Sequence, residues 1–375
     1  MKLIFEIIKK EFRQFKRDPK MFAMVLVAPV IQLVFLGYAA NLDVENIHML
    51  VFDQSNSKTS REVVRKFDQS DYFSLDFKVN TYNEVEEIID AGKVSLALII
   101  DRDFEVDLAN NRPGKIQAIF DGSDGNSASI ASGYMNGLLT EYSQNISVEN
   151  RLKSGQKFSI SSVVPKVRVW YNPELKTRNY MVPGIVGLLL MIITLILTSL
   201  AIVKEKEIGT MEQLIVTPIS STQLIIGKLV PFMILGFASV IIVLTAMYLF
   251  FGIQVRGSIS LLLGSTFIYI LSTLGLGLFV STISKTQQQA MMLAIFVVML
   301  PMTFLSGFAF PIENMPQSIQ WITHIIPLKY FMTIIRGIVL KGIGFAELWK
   351  DILLMLLIGV SILGISALRF QKKLD

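Results

Sequence analysis

The sequence predicts an α-helical polytopic membrane protein with six transmembrane helices and an extracytoplasmic α/β domain inserted between the first and second helices. Apolar residues make up 52% of the 375 residues and charged residues only 17%, with a mean hydropathy of +0.54. These values lie outside the range of soluble globular domains. Six apolar stretches are long enough to cross the ~30 Å hydrocarbon core of a bilayer.

The six predicted spans share an absence of charge at their centres. They cover residues of about 21–40, 181–203, 229–251, 258–283, 288–310 and 351–368. None of their cores contains Asp, Glu, Lys, Arg or His. Proton-coupled carriers usually place an ionisable group at membrane depth, so a proton-driven antiporter is disfavoured.

The distribution of Lys and Arg in the short loops predicts the orientation. With the N-terminus in the cytoplasm, the inner loops hold fourteen basic residues and the outer loops five. This bias places both termini in the cytoplasm. The first apolar run could instead be a cleaved signal peptide, because residues 37–39 loosely resemble a small-residue cleavage site. The run and its basic lead-in are each about 20 residues, longer than signal peptides allow, so we expect a retained span.

Residues 1–20 have the pattern of an interfacial amphipathic helix. Ile4, Ile8, Phe12 and Phe15 recur at helical spacing while basic residues occupy the other faces. Pro19 then marks the bend into the first span. Two roles fit this helix equally well: a positive-inside anchor, or a contact site for a cytoplasmic partner.

The sequence of residues 41–180 predicts a separate domain, because short strand patterns alternate with helical patterns. The predicted strands are 47–52, 73–79, 94–100, 115–120 and 163–170, and the predicted helices are 59–67, 84–91, 104–109 and 127–152. Such alternation is typical of an α/β domain with a mixed sheet. Residues 121–125, DGSDG, are interpreted as a turn and helix cap, since they lack the ligand spacing of a calcium loop.

Catalytic and nucleotide-binding motifs are missing from the sequence. His48 and His324 lie in unrelated segments without an H-E-x-x-H pair, and there are no cysteines. The segment around Gly227 and Lys228 lacks the upstream glycine and the hydroxyl of a phosphate-binding loop. We therefore expect no catalytic residue and no metal site, and active transport would need another chain to bind the nucleotide.

A charged island, KEKEIGTMEQ at 204–213, interrupts the apolar sequence after the second span. Gly209 permits a sharp redirection, and Thr210 can cap a short helix whose residues Met211 and Leu214 share an apolar face. Pro218 ends that helix, and hydroxyls at 220–222 can cap the next one. Residues 204–220 are called the elbow below. A plain interhelical turn is the simpler alternative, but a turn needs neither the apolar face nor this length.

The elbow sequence KEKEIGTMEQLIVTP (204–218) resembles that of a known family, as do VFDQSNSKTSRE (51–62), FDGSDGNSA (120–128) and FPIENMPQSIQWITHIIPLKYF (310–331). These are the permease subunits of ATP-binding-cassette exporters of the type-two class. In that family the elbow is the coupling helix that docks on the ATPase. The resemblance assigns this role to Glu205, Glu207, Gly209, Thr210, Glu212, Gln213, Leu214, Thr217 and Pro218, and the apolar face of the predicted helix adds Met211.

The resemblance also implies partners and location. It implies a second permease, as a homodimer or heterodimer, and a separate ATPase chain that binds ATP and Mg, with no cofactor on this chain. An adaptor and an outer-membrane channel are further partners of this class. The expected location is the bacterial inner membrane, with no role for nucleic acid. Two competing hypotheses are an ATP-independent carrier or channel and a membrane-anchored receptor, although a receptor does not need five further spans.

Residues 311–341, called the outer segment below, precede the last span and belong to the domain 181–375. The segment is too polar for a clean span, and three prolines interrupt it. Short helices that dip into the outer leaflet would fit this pattern, and irregular backbone at that depth must be buried in protein or line a cavity. The segment is thus a candidate outer gate, or else a plain amphipathic linker. The candidate gate residues are Pro311, Pro316, Trp321, Pro327 and Tyr330.

Overall fold

The computed structural model describes residues 2–40, 46–110, 112–154, 170–172, 176–209 and 220–370. The chain forms two compact units. One contains Met1–Asn41 and Arg168–Asp375, and the other contains Leu42–Val167. Along the chain, the second unit therefore lies between the two parts of the first.

The N-terminal region is helical almost throughout. Helices α1 (Lys2–Arg17), α2 (Pro19–Phe22) and α3 (Ala28–Ala39) follow one another, with a π-helical stretch, Ala23–Val27, between the last two. Ser239 donates a hydrogen bond of 2.9 Å to the carbonyl of Val25, which gives a partner to a backbone group in the π-helical stretch. The apolar run Ala23–Ala39 is shorter than the predicted first span and shorter than the long helices described below.

The inserted unit contains a four-stranded mixed sheet. Its strands are β1 (Ile47–Asp53), β2 (Phe73–Lys78), β3 (Leu96–Ile100) and β4 (Ile116–Phe120), in the order β2-β1-β3-β4. Strand β1 is parallel to β2 and to β3, whereas β4 is antiparallel to β3. The helices are α4 (Lys58–Asp68), α5 (Tyr82–Asp90), α6 (Phe104–Ala109) and α7 (Gly125–Ser154). Four of the five predicted strands and all four predicted helices are confirmed. The fifth predicted strand, 163–170, lies outside the described residues except for Trp170.

The sheet is covered on both faces because successive strand residues point to opposite sides. Met49 and Leu98 pack with Phe67 of α4 on one face. Leu50 packs with Val85 of α5 on the other face. All five side chains are almost fully buried, which gives this unit two apolar layers of its own.

The DGSDG segment behaves as the predicted turn. The carboxylate of Asp121 accepts a hydrogen bond of 2.9 Å from the backbone N–H of Ser123. Asp124 accepts one of 3.3 Å from the N–H of Ser127 in the first turn of α7. Both aspartates thus bond the local backbone, as in Asx turns and helix caps.

Five helical stretches of the described residues are long and apolar enough to cross a membrane. They are α8 (Thr177–Glu207), α9 (Ser221–Phe251), α10 (Ile259–Ile283), the composite helix Gln287–Leu305, and a final helix, Phe345–Arg369. Within Gln287–Leu305, α11 (Gln287–Met292) and α12 (Leu300–Leu305) flank the π-helical stretch Leu293–Met299. These five match the predicted second to sixth spans.

The outer segment contains a sharply bent helix pair. Helix α13 (Gln317–Thr323) is followed by α14 (Pro327–Arg336), which continues as a π-helical stretch, Gly337–Lys341, and the two arms meet at 82°. The final helix Phe345–Arg369 is α15. If the bent pair is counted as one broken span, the described residues contain up to six candidate spans. The short, proline-broken helices predicted for this segment are therefore present.

Hydroxyl groups and small residues join the long helices at buried positions. Thr194 of α8 donates a hydrogen bond of 2.7 Å to Thr273 of α10, and Tyr269 donates one of 3.1 Å to the carbonyl of Gly187. A Cβ at Gly277 would lie 2.7 Å from the Cβ of Thr198, so only glycine allows this close approach of α10 to α8. Such contacts hold helices together where lipid provides no hydrophobic drive for their association.

We predict that residues 42–167, expressed alone, fold cooperatively, because both faces of the sheet are covered from within this unit. Leu98→Ala should then lower the free energy of unfolding by about 2–5 kcal/mol, the usual cost of emptying a core leucine site. Urea unfolding followed by circular dichroism measures this change.

The matched control for this experiment is Gln117→Ala on the exposed side of β4, expected to change stability by less than about 0.5 kcal/mol. An isolated domain without a cooperative transition would show that the unit depends on the helices or on a partner.

Candidate functional site

A lysine is buried near the start of α9 and pairs with two carboxylates. The side chain of Lys228 is only 2% exposed. Its Nζ lies 3.1 Å from Oε1 of Glu11 in α1 and 2.8 Å from Oε2 of Glu205 near the end of α8. Glu11 and Glu205 are themselves 6% and 10% exposed, so the three charges are withdrawn from water together.

A second lysine extends this network to the surface. Lys10 is 45% exposed, and its Nζ lies 2.7 Å from Oε1 of Glu205. The two oxygens of Glu205 therefore bind two different lysines. These four side chains, Lys10, Glu11, Glu205 and Lys228, are called the charged base below. Two positive and two negative charges balance, which is the condition for keeping an ammonium group buried.

The sequence of α1 explains how Glu11 reaches Lys228. Ile7, Glu11 and Phe15 recur every four residues, so they share one helix face, and all three are buried. A Cβ at Gly227 would lie 2.9 Å from the Cβ of Ile7, so the glycine lets α1 approach α9 closely. Of the four apolar residues predicted to lie among headgroups, only Phe15 is buried; Ile4, Ile8 and Phe12 are partly buried.

The end of α8 makes further bonds to two other helices. The ammonium of Lys206 donates a hydrogen bond to the carbonyl of Ser281 near the end of α10. The carboxylate of Glu207 accepts a hydrogen bond of 2.7 Å from the side chain of Gln287, where α11 begins. Gly209 has a φ of +79°, which agrees with the predicted redirection of the chain.

The structure places three of the predicted coupling residues. Glu205 and Glu207 lie at the end of α8, and Gly209 follows it. At the far side of the elbow, the Ser220 hydroxyl accepts a hydrogen bond from the N–H of Gln223 and caps α9, as predicted. The other predicted coupling residues lie outside the described residues: Thr210, Met211, Glu212, Gln213, Leu214, Thr217 and Pro218.

A cleft of about 510 Å³ borders the charged base. Its walls come from α1, from the residues that follow α1, and from the end of α8. Arg17, Asp18 and Lys204 line it together with the four side chains of the charged base. The root of the elbow, meaning residues 204–207, therefore borders a cleft whose lining includes several charged side chains.

The predicted gate residues differ in burial. Pro327 and Tyr330 are buried, and the Tyr330 hydroxyl donates a hydrogen bond of 2.8 Å to the carbonyl of His324 across the bend. Trp321 is 70% exposed, and Pro311 and Pro316 are also exposed. Tyr330 thus stabilises the bend between α13 and α14, while a gating role for these five residues stays a prediction.

Sequence reasoning missed the charged base as a unit. Lys10 and Lys228 were counted as cytoplasmic loop charges, Lys228 was also compared with a phosphate-binding loop, and Glu11 received no role. Two signals were available: Glu11 occupies the apolar stripe of α1, and Lys228 is flanked by apolar residues on both sides. The pairing itself joins residues 217 positions apart, which no local pattern specifies.

The described fold defines a class of protein: a multi-pass membrane protein whose long apolar helices are joined at one end by the ion pairs of the charged base. The chain is 32% identical over 370 residues to the probable multidrug ABC transporter permease YbhR of Escherichia coli (strain K12), covering 99% of this chain and 98% of that protein. It is 31% identical over 367 residues to the probable multidrug ABC transporter permease YbhS of the same strain, covering 98% and 96%. It is 26% identical over 376 residues to the inner membrane transport permease YhhJ of that strain, covering 98% and 97%.

The family assignment follows from a match that covers most of the chain. The sequence profile described as "ABC-2 family transporter protein" matches residues 19–368. The chain therefore belongs to the ABC-2 family of transporter proteins and is an ABC transporter permease. The family resemblance drawn from the elbow and the other sequence strings is confirmed.

We predict that Lys228→Met destabilises the permease by about 3–5 kcal/mol, because Glu11 loses its cation while still buried. The double variant Glu11→Gln with Lys228→Met should recover much of this loss, since it leaves one carboxylate that Lys10 still pairs. Thermal unfolding of the purified permease in detergent measures both effects as changes in melting temperature.

Lys285→Met is the matched control, because Lys285 is exposed near the same end of the helices. It should melt with the wild type. A Lys228→Met variant with the wild-type melting temperature would show that the network is not stabilising.

Proposed function

We propose that this chain is the membrane-spanning subunit of an ATP-driven exporter that is coupled through its elbow to separate ATPase subunits. The observation that carries the proposal is the set of bonds at the root of the elbow. Glu205 pairs with Lys10 of α1 and Lys228 of α9, Lys206 bonds α10, and Glu207 bonds α11. A displacement of the elbow would therefore act on four other helices at once.

The charge bias of the short loops supports one orientation of the chain in the membrane. We place the elbow, α1 and both termini in the cytoplasm, because the basic residues concentrate in the short loops on that side. The unit Leu42–Val167 is then extracytoplasmic. In this arrangement ATP and Mg bind the partner chain, and the permease supplies the groove-filling face of the coupling helix through Met211 and Leu214.

The assembly and cargo are inferred from the family and the composition. Two permeases, identical or similar, would enclose the transport path. The helices offer Leu, Ile, Val, Phe and Met together with hydroxyls, a lining suited to amphiphilic or drug-like molecules, and the names of YbhR and YbhS describe multidrug permeases. The name of YhhJ describes an inner membrane transport permease, which supports a location of the complex in the bacterial inner membrane. An adaptor and an outer-membrane channel would receive the cargo beyond the extracytoplasmic unit.

The test of this proposal is Leu214→Asp. If Leu214 fills an apolar groove on the ATPase, its removal costs about 2 kcal/mol or more, and a buried, unpaired carboxylate adds to that cost. The variant should insert and express normally, but it should not co-purify with the cognate ATPase and should not export. Co-purification and substrate-stimulated ATP hydrolysis in nanodiscs measure the effect.

Lys373→Asp near the C-terminus is the control and should behave as the wild type. The permease without its ATPase should hydrolyse no ATP. Wild-type export by Leu214→Asp with its ATPase still bound would refute the coupling assignment. The hypothesis of an ATP-independent carrier or channel would then be favoured over that of an ATP-driven exporter.

A further inference from the structure

Arg336, the last residue of α14, is held in the outer segment without an acidic partner. Its Nη1 donates hydrogen bonds of 2.7 Å to the Tyr180 hydroxyl and 3.0 Å to the carbonyl of Gly307. The guanidinium also lies 3.7 Å from the centre of the Tyr180 ring. Among the described residues, no carboxylate lies within ion-pair distance of it.

The remaining nitrogens of this guanidinium have no partner. Nε and Nη2 are both shielded from solvent and donate no hydrogen bond within the described part of the chain. These two nitrogens form one edge of the planar group, and their N–H bonds point in parallel. That edge is the fork that binds a carboxylate or phosphate through two hydrogen bonds.

Two further donors are shielded and have no partner within the described part of the chain. The hydroxyl of Ser306, next to Gly307, has no hydrogen-bond partner, and neither has Nε of Arg178, two residues before Tyr180. Buried polar groups of native proteins are normally satisfied, so the unpaired nitrogens of Arg336 need an explanation. An anion would satisfy donors of this kind.

An aromatic side chain lies close to the Arg336 guanidinium. A Cβ at Gly184 would lie 2.9 Å from the Phe308 ring and 3.2 Å from Nη2 of Arg336, so the glycine makes room for both side chains against α8. In this conformation the free edge of the guanidinium is shielded from solvent. A guanidinium fork beside the apolar ring of Phe308 suits a molecule with an acidic head and an apolar body.

We propose that the Nε–Nη2 edge of Arg336 binds the carboxylate or phosphate group of an anionic amphiphile at the outer end of the transport path. Tyr180 and the carbonyl of Gly307 are positioning groups, since they hold Nη1 and leave the other edge of the guanidinium free. The inference rests on the proposed export function and narrows the cargo to amphiphiles with an anionic head.

The test is direct binding to the full-length permease in phosphatidylcholine nanodiscs, without the ATPase. The probes are N-dodecanoylglycine and its neutral methyl ester, compared by isothermal titration calorimetry. The wild type should bind the acid about tenfold more tightly than the ester, a ratio that corresponds to about 1.4 kcal/mol. Arg336→Gln should bind both equally, and Arg336→Lys should lose most of the preference because lysine has no fork.

Arg256→Gln is the matched control. Arg256 lies between the predicted third and fourth spans, in one of the outer loops, but it is exposed and donates a hydrogen bond to the carbonyl of Leu340. This variant should keep the wild-type preference. Thermal unfolding gives a second readout: the acid should raise the melting temperature of the wild type and of Arg256→Gln, but not that of Arg336→Gln.

A second lipid composition identifies the source of the anion. If phosphatidylglycerol in the nanodiscs abolishes the preference for the acid, the site accepts a lipid headgroup; if the preference persists, the site selects free cargo. Equal binding of acid and ester by the wild type, or a preference retained in Arg336→Gln, would overturn the proposal. Because no ATPase is present, either result leaves the test of Leu214 unaffected.

Discussion

The structure depends on keeping Lys228 charged and buried. An ammonium group withdrawn from water is costly unless carboxylates surround it, and here Glu11 and Glu205 lie 3.1 Å and 2.8 Å from its Nζ. Each carboxylate belongs to a different helix, so neither α1 nor the end of α8 can leave α9 without exposing an unpaired charge. These ion pairs therefore fasten the N-terminal helix α1 to two predicted spans, α8 and α9.

The rest of the membrane-spanning unit is held by weaker and more permissive contacts. Threonine and tyrosine hydroxyls join α8 to α10, and Gly277 allows a close approach between them. Contacts of this kind let packed helices shift by small amounts, as a transport cycle requires. The ion pairs of the charged base suit an end of the permease that transmits movement from the ATPase. The hydroxyl contacts between the spans suit helices that rearrange around the transport path.

The sequence predicted most helices and strands because periodicity and apolar length are local properties. Strand β3 and helix α4, for example, appear within two residues of their predicted bounds. The tertiary pairings were out of reach, since Glu11 meets Lys228 across 217 positions and Arg336 meets Tyr180 across 156. Counting loop charges did not distinguish these residues. Lys228 was counted as an inner charge and Arg336 as an outer charge, whereas in the fold Lys228 is buried and Arg336 is hydrogen-bonded to Tyr180.

The central claim is that α1, the root of the elbow and α9 move as one body, and the distance between α1 and α9 tests it most directly. The chain contains no cysteine, so spin labels can be placed uniquely at Arg13 and Ile226, which are both exposed. Electron paramagnetic resonance would compare the nucleotide-free and ATP-trapped complexes. The account predicts that the distance changes by less than about 2 Å, the scale of ordinary helix shifts, and that Lys228→Met broadens its distribution. A clearly larger change between the two states of the wild type would contradict it.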